Sequence, residues 1–85
     1  MKIIPVEDRL LIELIEDQPQ DYVLPEGVER EKFRIGKVLD WGPDVKIPKN
    51  KTVLFERYGP LHLKQFNEKW FLVKQQYVLA ILENE

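Results

Sequence analysis

Apolar and polar positions alternate with a period of two along most of this chain, which is the pattern of strands half buried against a core. After Pro5, the residues Leu10, Ile12 and Leu14 alternate with Arg9, Leu11, Glu13 and Ile15, so the first strand is apolar on its second face as well and must be covered on more than one side. Phe33 to Trp41 reads as a second strand, with Gly36 marking a bulge or a close backbone approach and Gly42-Pro43-Asp44 a turn that ends it. Val45 to Asn50 reads as irregular, because Pro48 cannot donate to a central ladder. Thr52-Val53-Leu54-Phe55 is a third strand, and Tyr58-Gly59-Pro60 breaks the chain. Leu61 to Gln65 then alternates as a half-exposed strand, Asn67-Glu68 supplies a hairpin turn, Trp70 to Val73 returns as its partner, and Tyr77 to Leu82 closes the pattern. No segment has a helical period. Many short strands separated by turn signals predict an all-β protein, and a small barrel fits better than a sandwich.

One stretch departs from this pattern. Between Glu16 and Arg34 the strand period disappears, yet the polar run holds the apolar tripeptide Tyr22-Val23-Leu24. Asp17, Gln18, Pro19, Gln20 and Asp21 precede it, and of the residues from Pro25 to Lys32 only Val28 is a large aliphatic, so nothing nearby could build a core around it. Loops longer than roughly 12 to 15 residues without structure of their own are usually functional or disordered. The apolar triplet argues for function, a hook displayed in a mobile loop at about 16–34 for capture by a partner.

Composition narrows the partner. With 85 residues the chain is expected to form one domain spanning 1–85, and a domain so small buries only about 60% of the surface its unfolded chain exposes. The absence of Cys and the single His remove disulfides and structural zinc as staples, which leaves oligomerisation. A net charge of -2 gives no basic footprint for nucleic acid. The apolar run Ile3-Ile4 stops at Pro5, far short of a signal-peptide core or of the roughly 20 residues of a membrane helix. The expected setting is therefore a reducing, cytoplasmic one with no membrane contact.

Both chain ends speak to assembly. Ile3, Ile4 and Val6 at the start, and Val78, Leu79, Ala80, Ile81 and Leu82 at the end, are apolar on both strand faces, which a one-layer surface strand should not be. An exposed hydrophobic edge invites pairing with another chain. If the last strand of one subunit meets the first of the next, the contact is head-to-tail and closes into a ring or runs on as a filament. The alternative is that both termini tuck into one monomeric core.

Catalytic chemistry finds little here. The chain has no Ser and no Cys, which excludes nucleophilic triads of either type, and His62 lies in an alternating strand beside Leu61 and Leu63, where it reads as a surface residue. The carboxylates Glu7, Asp8, Glu13, Glu16 and Asp17 have the spacing of a solvated face, and the four glycines form no phosphate cradle. No catalytic residue, metal ligand or cofactor is therefore expected. An alternative is an OB-like barrel binding single-stranded nucleic acid through Lys46, Lys49 and Lys51 near Trp41, Phe55 and Arg57-Tyr58. Brevity of the basic run and the neighbouring acids count against it.

Several residues stand in a familiar order. The opening Ile3-Ile4-Pro5-Val6-Glu7-Asp8-Arg9-Leu10-Leu11-Ile12 resembles the Pro-x-x-Asp-Arg start of the GroES-type co-chaperonins. Gly36-Lys37-Val38 with Trp41-Gly42-Pro43 is similar to that family's Gly-x-Val and following Gly-Pro, Thr52-Val53-Leu54-Phe55 to its Val-x-Phe strand, and Val78-Leu79-Ala80-Ile81-Leu82-Glu83 to its Ile-Leu-Ala ending. The resemblance covers nearly the whole chain. It implies a partly open β-barrel in a homoheptameric ring that caps a GroEL-type chaperonin, an ATP-driven folding chamber. In that family a mobile loop carries an apolar tripeptide that docks on the chaperonin's apical domain, and Tyr22, Val23 and Leu24 hold its place. The family's subunits join through the N-terminal strand of one and the C-terminal strand of the next. A non-chaperone structural ring sharing the barrel is a further alternative.

The chain departs from the family pattern at three places. Gln20-Asp21 stands where a Gly pair usually precedes the tripeptide, and Tyr22 replaces an aliphatic docking residue. Pro43-Asp44-Val45-Lys46-Ile47-Pro48 runs almost directly into the next strand, without the hairpin that roofs the family's dome, so a ring with an open top is expected. Asn50-Lys51 replaces the usual Gly-Asp before the Val-x-Phe strand. Such divergence would suit a specialised or viral co-chaperonin, the latter acting in its host's cytoplasm.

Overall fold

A computed structural model of the chain describes residues 2–16, 32–47 and 51–83. The fold is all-β, with six strands: β1 (Arg9–Glu16), β2 (Phe33–Trp41), β3 (Thr52–Glu56), β4 (Leu61–His62), β5 (Trp70–Lys74) and β6 (Val78–Leu82). They form one sheet in the order β4-β5-β1-β2-β3-β6, every neighbouring pair antiparallel. The alternating residues meet across the ladders as their pattern demands, Leu10 opposite Val73 and Ile12 opposite Phe71 on one side of β1, and Ile12 opposite Val38 on the other.

This sheet is rolled. In a flat sheet β3 and β5, three spacings apart, would lie about 14 Å from each other at roughly 4.8 Å per strand. The Phe55 and Phe71 rings, one on each, have centroids 5.8 Å apart. Leu10, Ile12, Val38, Val53, Phe55, Phe71 and Val73 share one buried cluster, and Val78 and Ile81 of the edge strand β6 pack against it. The result is the small β-barrel expected from the strand pattern. A second cluster, Phe33, Ile35 and Leu54 with Ala80 and Leu82, lies on the opposite face of the same strands, which accounts for their doubly apolar pattern.

Gly36 is a close-approach point. A Cβ there would run into the Ile12 side chain, 2.8 Å from the Glu13 carbonyl oxygen and 3.0 Å from Phe55 Cε1. Register shifts between Leu11 and Ile12 and between Leu14 and Glu16 bend β1 against β2, and tighter local twist of this kind helps a short sheet curl.

Two strand expectations need correction. Leu61 to Gln65 is a strand only over Leu61–His62, because Phe66 and Asn67 both donate their N–H to the Leu63 carbonyl and fold the chain into a turn. Tyr77 belongs to a 3-10 turn, Gln75–Tyr77, ahead of β6. The Gln75 N–H donates to the Asp8 carbonyl there, tying the turn to the start of β1. No helix among the described residues is long and apolar enough to cross a membrane.

Candidate functional site

The tripeptide Tyr22-Val23-Leu24 lies outside the described residues, but both of its flanks are placed. Glu16 at the end of β1 pairs with Ile35 near the start of β2, so the chain leaves and re-enters the sheet at adjacent strands. On the return side the Arg57 N–H donates to the Lys32 carbonyl at 2.9 Å and its Nη2 donates to the Phe33 carbonyl at 3.2 Å. The end of β3 thereby clamps the root of β2.

The predicted assembly residues fall into two groups. Ile4 is 69% exposed, Val6 56% and Leu79 47%, so these three present apolar side chains to solvent in the single chain. Ile3, Val78, Ala80, Ile81 and Leu82 are half-buried. Val78 and Ile81 pack on the barrel core and Ala80 and Leu82 on the second cluster, so both faces of β6 are already partly occupied by its own chain. β6 is one edge of the sheet. Residues 2–6 have no strand partner among the described residues, and they reach the barrel through a turn in which Arg9 N–H donates to the Val6 carbonyl. Glu7 sits in that turn with φ 55, and a Cβ on Gly42 would collide with the Val6–Glu7 backbone. The arm is therefore seated on a glycine.

The aromatics of the nucleic-acid alternative do not form one platform, since of the three only Tyr58, 74% exposed, stands clear of the core. Phe55 is fully buried and Trp41 packs on the core, so neither offers a free face for a base. Lys51 lies 3.8 Å from Glu83, and Lys49 lies outside the described residues. Among the described residues no group of three or more His, Cys, Asp or Glu could hold a metal ion.

His62 is exposed, as its alternating position predicts, yet it is not idle. Opposite Phe71 in the β4–β5 ladder, its ring stacks on the Phe71 ring with centroids 4.4 Å apart and planes 9° apart. The sequence signal misses it: a turn at Asn67-Glu68 would set residue 62 opposite residue 73, whereas the observed pairing sets it opposite Phe71.

Comparison with known proteins agrees with the fold. The family model described as "Chaperonin 10 Kd subunit" matches residues 2–82. The chain is 33% identical over 88 residues to the co-chaperonin GroES of Thermodesulfovibrio yellowstonii, covering 98% of this chain and 99% of that protein. It is 31% identical over 96 residues to the co-chaperonin GroES of Corynebacterium jeikeium, covering 98% and 96%. The co-chaperonin GroES of Caldicellulosiruptor saccharolyticus is also 31% identical, covering 99% of this chain and 100% of that protein. With the family model matching residues 2–82 and relatives of 31–33% identity covered almost end to end, the chain belongs to the chaperonin 10 kDa subunit family.

Proposed function

We propose that this protein is a non-enzymatic co-chaperonin that assembles into a ring, heptameric as in its family, and caps a GroEL-type chaperonin in an ATP-dependent complex. The observation that carries the reading is the apolar tripeptide in a polar segment whose two ends enter the barrel side by side. Tyr22, Val23 and Leu24 dock on the chaperonin's apical domains. The exposed Ile4, Val6 and Leu79 and the outward edge of β6 join neighbouring subunits.

Energetics support a ring. Burying Val23, Leu24 and part of Tyr22 contributes on the order of 5 kcal/mol at about 1.5–3 kcal/mol per large apolar side chain. Ordering five loop residues costs a similar amount at about 1–2 kcal/mol each. One loop alone binds weakly. Several copies on one ring make later contacts intramolecular, which raises overall affinity by about 10² to 10⁴. A modest change in each apical groove during the ATP cycle is multiplied across the copies in the same way, which permits release.

Leu24→Asp tests this directly. The variant should keep its ring mass and lose co-sedimentation with chaperonin and ATP; capture at the wild-type level would refute the docking assignment.

A further inference from the structure

We propose that His62 is a positioning residue for chaperonin capture: its imidazole holds the turn that enters β5, and that turn clasps the strands on both sides of the docking segment. The role rests on the docking reading above, while the clasp itself stands on described residues alone.

The regular β1–β5 ladder ends at Glu13 opposite Trp70. Beyond it, the Leu14 N–H donates to the Lys69 carbonyl at 2.6 Å, extending the contact one residue toward the docking segment. On the other side, Arg34, second residue of β2, holds its guanidinium 4.8 Å from the centroid of the Phe71 ring. Lys69 and Phe71 flank the start of β5, so one short stretch touches both stems. Backbone bonds seat that stretch, with the Leu63 N–H donating to the Trp70 carbonyl and the Trp70 N–H to the Asn67 carbonyl, and His62 adds a side-chain grip to them. Its ring stacks on Phe71, and its Nε2–H donates to the Glu68 carbonyl at 2.6 Å. β4 has only two residues, so few ladder bonds share the load. One side chain therefore grips the turn at residue 68 and the strand at residue 71.

Stems that fray let the segment explore more volume. Its effective concentration at the apical groove falls and the ordering cost of each docking event rises. The loss per subunit is small, and simultaneous docking of several copies multiplies it.

The test uses the full chain with His62→Ala and His62→Phe, read first by amide hydrogen exchange. In His62→Ala, protection at Leu14 should fall roughly fivefold to a hundredfold, the range of one lost hydrogen bond together with one lost stacking contact, with Val53 in the core unchanged. His62→Phe keeps the stack without the donor and should fall in between. Capture by a GroEL-type chaperonin with ATP should weaken about tenfold in His62→Ala, with ring mass unchanged. Unchanged Leu14 protection would overturn the clasp, as would a parallel loss at Val53, which signals general destabilisation. Loss of Leu14 protection with full capture would overturn the positioning role. Should Leu24→Asp also capture normally, the docking reading falls and takes the positioning role with it, while the exchange result still decides the clasp.

Discussion

Two substitutions on β6, two residues apart, should fail in different ways. Leu79 is 47% exposed, so in the isolated subunit Leu79→Asp belongs with surface changes that shift stability by about 0.5 kcal/mol or less. At a subunit contact it forfeits the burial of the half still exposed, about 1 kcal/mol, and strands a carboxylate that costs several kcal/mol to desolvate without a partner. The sum, on the order of 4 kcal/mol per contact, lowers each association constant about a thousandfold. Ile81, by contrast, packs on the core cluster opposite Val53, while a register shift leaves Leu79 out of the ladder. A charge there costs several kcal/mol within the barrel itself, a large share of the about 4–13 kcal/mol available to a domain of this size. Sedimentation velocity should therefore find Leu79→Asp monomeric and folded, with a urea midpoint lowered only by the lost subunit contacts, whereas Ile81→Asp should show a collapsed midpoint. A Leu79→Asp protein that sediments at the wild-type mass would refute the assignment of β6 to the subunit contact.

The two tight glycines give further checks. Gly36→Ala drives a methyl against the Glu13 carbonyl, which belongs to a paired strand and cannot move cheaply; the urea midpoint should drop by the equivalent of about 1–3 kcal/mol, and an unchanged midpoint would mean that the barrel wall yields more easily than its packing implies. Gly42→Ala pushes on the Val6–Glu7 backbone and should weaken ring assembly as well as folding, since it displaces the arm that carries Ile4 and Val6. Calorimetry alongside sedimentation separates the two losses.

The strands were legible wherever alternation was long enough to exclude other readings. β2 matches its predicted span, Phe33 to Trp41, because nine residues of period two end at a Gly-Pro turn. The doubly apolar ending 78–82 reads in the sequence as a pairing surface, whereas within the single chain Val78 and Ile81 pack on the barrel core and Ala80 and Leu82 on the Phe33, Ile35 and Leu54 cluster, which leaves Leu79 as its exposed residue. What misled was Leu61 to Gln65. Its alternation is real, but Leu61 is 59% and Phe66 52% exposed, so no buried face rewards the extended form, and turn bonds from Phe66 and Asn67 to Leu63 win. Composition marks His62 as the only histidine, and periodicity marks it as exposed. Neither reveals that an exposed ring can still grip a turn, because stacking on Phe71 depends on the register of the β4–β5 hairpin. The grip of Arg57 on the Lys32 and Phe33 carbonyls is likewise a contact between strands' ends that no local pattern encodes.

The free edges of this sheet and the weakness of its single hook answer to the same constraint. A monomer with one docking tripeptide gains roughly what it spends on ordering the segment, so tight binding by one copy would require a larger hook, and a larger hook would resist release. Spreading the contact over a ring keeps each docking event weak and the sum strong. That solution demands subunits able to pair, which means keeping an edge such as β6 uncovered and leaving Ile4, Val6 and Leu79 in solvent until a neighbour arrives. Exposed apolar edges are a hazard for a protein that acts alone. On the proposed reading the hazard is limited by the small size of each patch and by the ring that would consume it, so the features that look least economical in one chain would follow from the need for many weak, simultaneous contacts.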